Sequence, residues 1–345
     1  PYGRTRDAAV GDALAGMGAK LRGIGSPYAV DPGTVRKGDG DPYAVFTPFS
    51  KVWRRTGWRG PFPAPDDDVR WLGAGAAGIE SDPMPDRSEP GCVLPVAGER
   101  AALGRWHDFL ESASAADGTS RSGVDAYDDL RDRPALNGTS HLSPDLKWGT
   151  IHPRTLLADL DATGSGPTGP TVFSSELAWR DFYADVLFHQ PRTAWENLNP
   201  KLDDIELDTD AAARAKFDRW CAGATGFGIV DAGMHQLRAT GWMHNRVRMI
   251  VASFLVKDLH LPWQWGARWF MQHLVDGDLA SNNHGWQWAA GTGTDAAPYF
   301  RVFNPTLQQA RYDPDGAYVA RWVDSPGPPM LDHGAERDEA LRRLK

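Results

Sequence analysis

From Glu99 to the end of the chain, apolar residues recur every three or four positions between short breaks of Gly, Pro and Asn, and apolar and polar residues hardly ever alternate. Such spacing puts one apolar stripe on a helix, whereas a half-buried strand needs a period of two. The region should be nearly all α. Its clearest helix runs from Val230 to Leu259, entered after Gly226-Phe227-Gly228, with a break near Gly241 where glycine weakens the helix. The charged end, Ala335 to Lys345, reads as a short exposed helix. Residues 60–98 are crowded with Pro, Gly and Asp without a sustained period, the pattern of a linker. Ahead of it, Asp7 to Leu21 spaces Val10, Leu14, Met17 and Leu21 as one helical stripe, and Gly25-Ser26-Pro27 leads into an extended run, Tyr28-Ala29-Val30. A lone αβ unit cannot bury its own faces, so residues 1–59 read as the remnant of a larger α/β domain, and a first residue other than Met fits a fragment. The expected organisation is 1–59 remnant, 60–98 linker and 99–345 helical domain.

Composition narrows the function. The 345 residues are enough for one large core and a smaller piece. A formal charge of −8 argues against a surface coated in basic residues, so any nucleic-acid site must be a local patch. The apolar run Met249 to Val256 falls far short of the ~20 residues that span a bilayer, and no apolar leader is visible. Cys92 and Cys221 form neither a disulfide framework nor a metal cluster, and His141, His152 and His244 show no ligand spacing, so a reducing, cytoplasmic setting and no metal are expected. Fifteen tryptophans are an excess for this length. Either the core is unusually aromatic or the indoles serve chemistry.

Two segments carry unusual residue combinations. Gly241 to Met249 continues into a helix with Asn245, Arg248, Met249 and Ala252 on one face, and an amide, a guanidinium and a thioether on one stripe do not make an ordinary core face. Asp276 to Trp288 packs two acids, two amides and two alternating tryptophans into one loop-to-helix stretch, which offers charge, hydrogen bonds and stacking planes together. Each alone could be a capped turn or an exposed stripe. Two in one domain point to a common ligand.

The blocks Thr225 to Leu259, Phe270 to Pro305 and GTSHLSPDLKWG (Gly138 to Gly149) resemble the signature blocks of the photolyase and cryptochrome family, and Tyr43 to Arg55 resembles the end of that family's α/β antenna domain. The resemblance implies an all-helical FAD-binding domain preceded by an antenna-domain remnant, and a carbon–carbon lyase that repairs cyclobutane pyrimidine dimers in UV-damaged DNA by electron transfer from reduced FAD. It places FAD on Tyr127, Thr139, Ser140, Leu142, Ser143, Asn245, Arg248, Asp276, Asp278 and Asn282, the last opposite flavin N5. Hydroxyls and backbone N–H groups at a helix start suit a diphosphate. The flipped-out dimer falls to Glu176, Trp179, Asn245, Met249 and Trp288, with two indoles as flat walls and Glu176, if protonated or water-bridged, as a hydrogen-bond partner that stabilises the radical anion. Arg131, Arg180, Arg246 and Arg301 match arginines that meet DNA phosphates. A second antenna pigment of folate or deazaflavin type is implied for a longer chain, and a monomer is expected. The rival is a cryptochrome-type light receptor without repair activity.

The resemblance also implies a file of three tryptophans that feeds electrons to oxidised flavin, with Trp286 proximal and Trp263 in the middle. The outermost position falls near Asp210, and no tryptophan occurs from Leu202 to Arg219. The usual exit is missing, with Trp195, Trp220 and Trp265 as substitutes.

Overall fold

The computed structural model describes residues 2–62, 69–70, 73, 78, 82–83, 86, 89–111, 123–162, 168–294 and 301–344. About half of the expected linker, 60–98, lies outside the described residues. Fifteen α-helices follow one another among the described residues: α1 (Tyr2–Gly16), α2 (Phe46–Thr56), α3 (Glu99–Leu110), α4 (Tyr127–Leu130), α5 (Ser143–Trp148), α6 (Pro153–Ala162), α7 (Thr168–His189), α8 (Ala211–Ala222), α9 (Gly228–Thr240), α10 (Asn245–Ser253), α11 (Trp263–His273), α12 (Leu279–Ala290), α13 (Pro305–Tyr312), α14 (Ala317–Trp322) and α15 (His333–Arg343). The expected helical class holds. The long helix read as Val230 to Leu259 is split where glycine predicts it: Gly241, at φ 65°, closes α9 in the left-handed conformation. A π-helical turn, Phe254–Asp258, then ends α10. Burial lowers His244 to about 4, so its ring stays neutral and Nδ1 can accept from the Arg246 N–H at 3.2 Å, capping α10.

The N-terminal expectation needs correcting. Among the described residues there is no strand, only one antiparallel bridge between Arg36 and Pro42. Tyr28 to Val30 is bent, because the Val30 N–H donates to Asp181 Oδ2 on α7 at 2.9 Å instead of to a neighbouring strand. Helix α1 starts earlier than its stripe suggested and buries none of its residues, and Val10, Met17 and Leu21 are exposed.

Two buried clusters organise the rest. The first gathers residues 29–53 with 102–186, including Phe49, Trp53, Trp106, Leu156 and Phe182. Helix α7 anchors it: Asp181 also accepts from Trp53 Nε1 at 2.9 Å, and Asp185 from the Gly33 N–H at 2.6 Å. The second cluster runs from Ala213 to Val323 around α9, α10 and the π turn. Helix α15 docks on that turn through His333 Nδ1 and Asp258 Oδ1 at 2.5 Å and His260 Nε2 and Glu336 Oε2 at 2.7 Å.

Candidate functional site

Among the described residues, the side-chain contacts that cross the seam between the two clusters include the stacked Tyr183 and His284 rings, at 5.5 Å, and several hydrogen bonds and ion pairs. Trp242 Nε1 donates to Ser143 Oγ at 3.2 Å and Trp148 Nε1 to the Val275 carbonyl at 2.7 Å. Arg246 donates from Nη2 to both oxygens of Asp132, at 2.8 and 2.9 Å, and from Nε at 3.1 Å, and Lys147 lies 3.9 Å from Asp278. Residues picked from sequence lie along both banks.

On the first bank, Tyr127 is buried edge-on to Phe109 and Phe173, and burial raises its hydroxyl far above the ordinary range. Thr139 and Ser140 are half-buried and Leu142 is buried, with Ser143 exposed at the start of α5. On the second bank α10 opens with Asn245, exposed, and one turn later Arg248 donates to the Met243 carbonyl at 2.7 Å and to Asp276 Oδ2 at 2.7 Å. The other oxygen, Asp276 Oδ1, is buried with no protein partner. Asp278 caps α12 by accepting from the Ser281 N–H at 2.8 Å. Asn282, a turn further on, donates from Nδ2 to the Ala267 carbonyl at 3.0 Å and to Asn283 Oδ1 at 2.8 Å. Both N–H groups of that amide are thus occupied, and Oδ1 remains as an acceptor.

This donor and acceptor set is specific. An unsatisfied buried carboxylate oxygen, a guanidinium beside it, an amide oxygen on the helix that follows and hydroxyls on the other bank match a ligand with ring N–H groups, ring carbonyls and phosphates, as in a flavin dinucleotide.

Residues 173–328 match the family model described as the FAD binding domain of DNA photolyase, and residues 1–66 the model described as DNA photolyase. A deoxyribodipyrimidine photo-lyase of Halobacterium salinarum is 43% identical over 329 residues, covering 92% of this chain and 66% of that protein. One from Thermus thermophilus is 40% identical over 344 residues, 99% of this chain and 74% of the relative. Among solved structures, a bacterial class III photolyase from Agrobacterium tumefaciens gives a TM-score of 0.80 at 31% identity, over 100% of this chain and 77% of its own. The chain belongs to the DNA photolyase family. It spans 66–74% of the length of these curated photolyase relatives.

Within this photolyase scaffold, most of the residues read as contacts to damaged DNA are engaged by protein partners. Arg131 Nη1 sits 2.6 Å from Glu176 Oε1, so a residue assigned to phosphate and one assigned to the dimer form a single ion pair. Arg246 is held by Asp132 and lies over the Tyr312 ring at 4.4 Å. Arg180 turns to the Pro27 and Leu146 carbonyls, at 2.7 and 2.9 Å, and its guanidinium covers Tyr28. Arg301 is exposed. Trp179, half-buried, is stacked on Phe46 at 3.7 Å and 9° and also meets Phe182 at 5.7 Å and Tyr183 at 5.4 Å. Trp288 is half-buried against Phe303, and Met249 is half-buried beside Arg246, whose Nη1 is 3.6 Å from Sδ. Trp286 is buried, in space that a Cβ on Gly266 would fill, at 2.1 Å from the ring. Trp263 donates from Nε1 to Asn197 Oδ1 at 2.8 Å and has no aromatic ring in contact among the described residues. Sequence reasoning missed Asp132, Trp242 and Gly266. The first two act on partners roughly a hundred residues away, and no local pattern marks them; Gly266 sits in the WQWG stretch, where a small residue between bulky rings was the available signal.

Proposed function

We propose that this chain is the flavin-binding catalytic part of a light-driven lyase that splits cyclobutane pyrimidine dimers in DNA. The observation that carries the reading is Asp276: a buried acid with one oxygen on Arg248 and the other without a partner among the described residues. The names of the photolyase relatives support repair over light signalling. Reduced FAD, once excited by blue light, supplies the single electron that opens the dimer.

The residues do the rest. Asp276 and Arg248 hold the polar edge of the ring system, and Asn282 offers its Oδ1 to a protonated ring nitrogen. Thr139, Ser140 and Ser143 donate hydroxyls to the diphosphate, and Tyr127, Leu142, Asn245 and Asp278 complete the cradle. Glu176 holds a polar edge of the flipped dimer, with Trp179 and Trp288 as its flat walls and Met249 beside them. Because Arg131 already pairs with Glu176, the carboxylate is positioned before DNA arrives. Arg131, Arg246 and Arg301 give the acidic protein a local positive rim for the flanking phosphates, and Arg180, tied to backbone carbonyls, braces that rim. In this reading residues 1–59 belong to the antenna part, 60–98 to the linker and 99–345 to the catalytic part, which acts as a monomer. With Cys92 and Cys221 both free, we place it in the reducing cytoplasm.

The test is repair of a thymine-dimer oligonucleotide under blue light after chemical reduction of the bound FAD. Repair by the parent protein, with unchanged FAD binding and fewer dimers opened per photon in Glu176→Ala, is the expected result. An equal yield in that variant removes Glu176 from the lesion site.

A further inference from the structure

Trp286 follows Asn282 by one turn of α12 and so flanks the proposed flavin cradle. Its ring has two aromatic neighbours: Phe270, edge-on at 5.0 Å, and Trp220, edge-on at 6.0 Å. Trp220 on α8 is fully enclosed and stacks on Phe217 at 5.7 Å. Phe217 in turn meets Trp265 at 5.5 Å and Trp269 at 6.3 Å, both half-buried on α11. An unbroken file of rings therefore leads from the cradle to the surface. The direction through Trp263 has no such continuation, since that indole touches no ring among the described residues and no tryptophan occurs from Leu202 to Arg219.

We propose that Trp286, Trp220 and Trp269, bridged by Phe217, form a relay that carries single electrons from the surface to oxidised flavin. The proposal rests on the reading that FAD is held beside Asp276 and Asn282. Trp286 gives one electron to the excited flavin and is refilled from Trp220, which is refilled from Trp269. Each hop moves one electron inward and leaves one vacancy further out. No covalent bond changes along the file. The vacancy on Trp269 is filled by a thiol in solution, which gives one electron to the ring and its proton to water, and two of the resulting thiyl radicals couple to a disulfide. Phe217, whose ring is too hard to oxidise, shortens the gap between the two indoles without becoming a carrier.

The charges around the two surface indoles choose between them. The Arg214 guanidinium lies 3.9 Å over the Trp265 ring, an attraction that becomes repulsion once that ring loses an electron. Trp269 carries instead the His273 imidazole, stacked at 3.9 Å, and no guanidinium or ammonium lies over its face among the described residues. The exit is therefore Trp269.

Transient absorption of the FAD-loaded protein under blue light, with a thiol as donor, tests the relay. The long-lived tryptophanyl signal should be lost in Trp220→Phe and in Trp269→Phe and kept in Trp265→Phe. Trp269→Phe, at a half-buried position, serves should Trp220→Phe fail to fold. A signal that persists in both, or is lost in Trp265→Phe instead, overturns the assignment. A second measurement needs no flavin: sub-stoichiometric azidyl radicals, which oxidise indoles by one electron, followed by peptide mapping. Trp220 is out of reach of solvent, so an oxidation mark on it arrives only along the file. The mark should appear in the parent and vanish in Trp269→Phe; an unmarked Trp220 in the parent overturns the relay. Failure to take up FAD would instead count against the cofactor reading, and the flavin-free measurement would still judge the relay.

Discussion

The Asp276 side chain is 2% exposed and holds Arg248, which keeps a quarter of its own surface in water. Asp276→Asn keeps the shape and removes the charge. Breaking a buried pair leaves an uncompensated ion, so the expected loss is about 3 kcal/mol, the low end of the usual range because Arg248 remains partly solvated. Calorimetry should show the lower melting temperature, and flavin absorbance after gel filtration should show weaker retention; an unshifted melting point would make the pair structurally idle. The residues of this pair were legible in sequence because both sit in blocks of unusual composition. Other partnerships were not. Arg131 and Glu176 are 45 residues apart, and Arg246 and Asp132 are 114 apart. Local spacing says nothing about contacts that the packing of α7 against α4, and of α10 near the turn after it, creates, so each arginine read as a separate phosphate contact.

Helix α12 approaches α11 closely enough for Trp286 to lie over the bare Cα of Gly266. Gly266→Ala should cost roughly 1–3 kcal/mol by overpacking, more than the helix propensity of alanine returns. Denaturant titration measures the difference, and a stabilised variant would mean that the two helices can slide apart. Helix α15 gives a pH effect. Burial, with the nearby Glu336 adding to it, raises Asp258 to about 8, while burial lowers His333. The protonated acid then donates to His333 Nδ1. A carboxyl raised by folding contributes stability that is complete below its ordinary 3.8 and is lost as pH rises towards about 8. Other groups titrate too, so the comparison is with Asp258→Asn, which keeps the hydrogen bond: the parent should lose stability relative to it between about pH 4 and pH 8. Parallel stability curves would show that Asp258 does not titrate with folding. At this scale the sequence was informative wherever one residue sets the backbone, as Gly241 does. It misled at Tyr28 to Val30, where an extended run reads as a strand but its N–H group goes to a buried carboxylate on a helix far along the chain.

The molecule as a whole is two aromatic-rich cores meeting along a seam, with the candidate site on both banks. Helix content was legible from periodicity alone. The pairing of the cores was not, since residues 29–53 join the core of 102–186 across the span read as a linker. The contacts that close the seam have a kinetic consequence if the proposed cradle holds the cofactor. Its residence time should then follow the parting of the two cores more than its equilibrium affinity. Trp242→Phe, which removes the bond to Ser143 and keeps most of the ring, should speed flavin release while changing the rate of uptake in the same sense. Stopped-flow fluorescence of the released flavin reads both rates. Faster release with unaltered uptake would place the barrier in the contacts to the ligand. If the seam is the gate, mild denaturant should shorten the residence time well before it unfolds either core, so that the protein loses its flavin as a clasp yields and not as a structure melts.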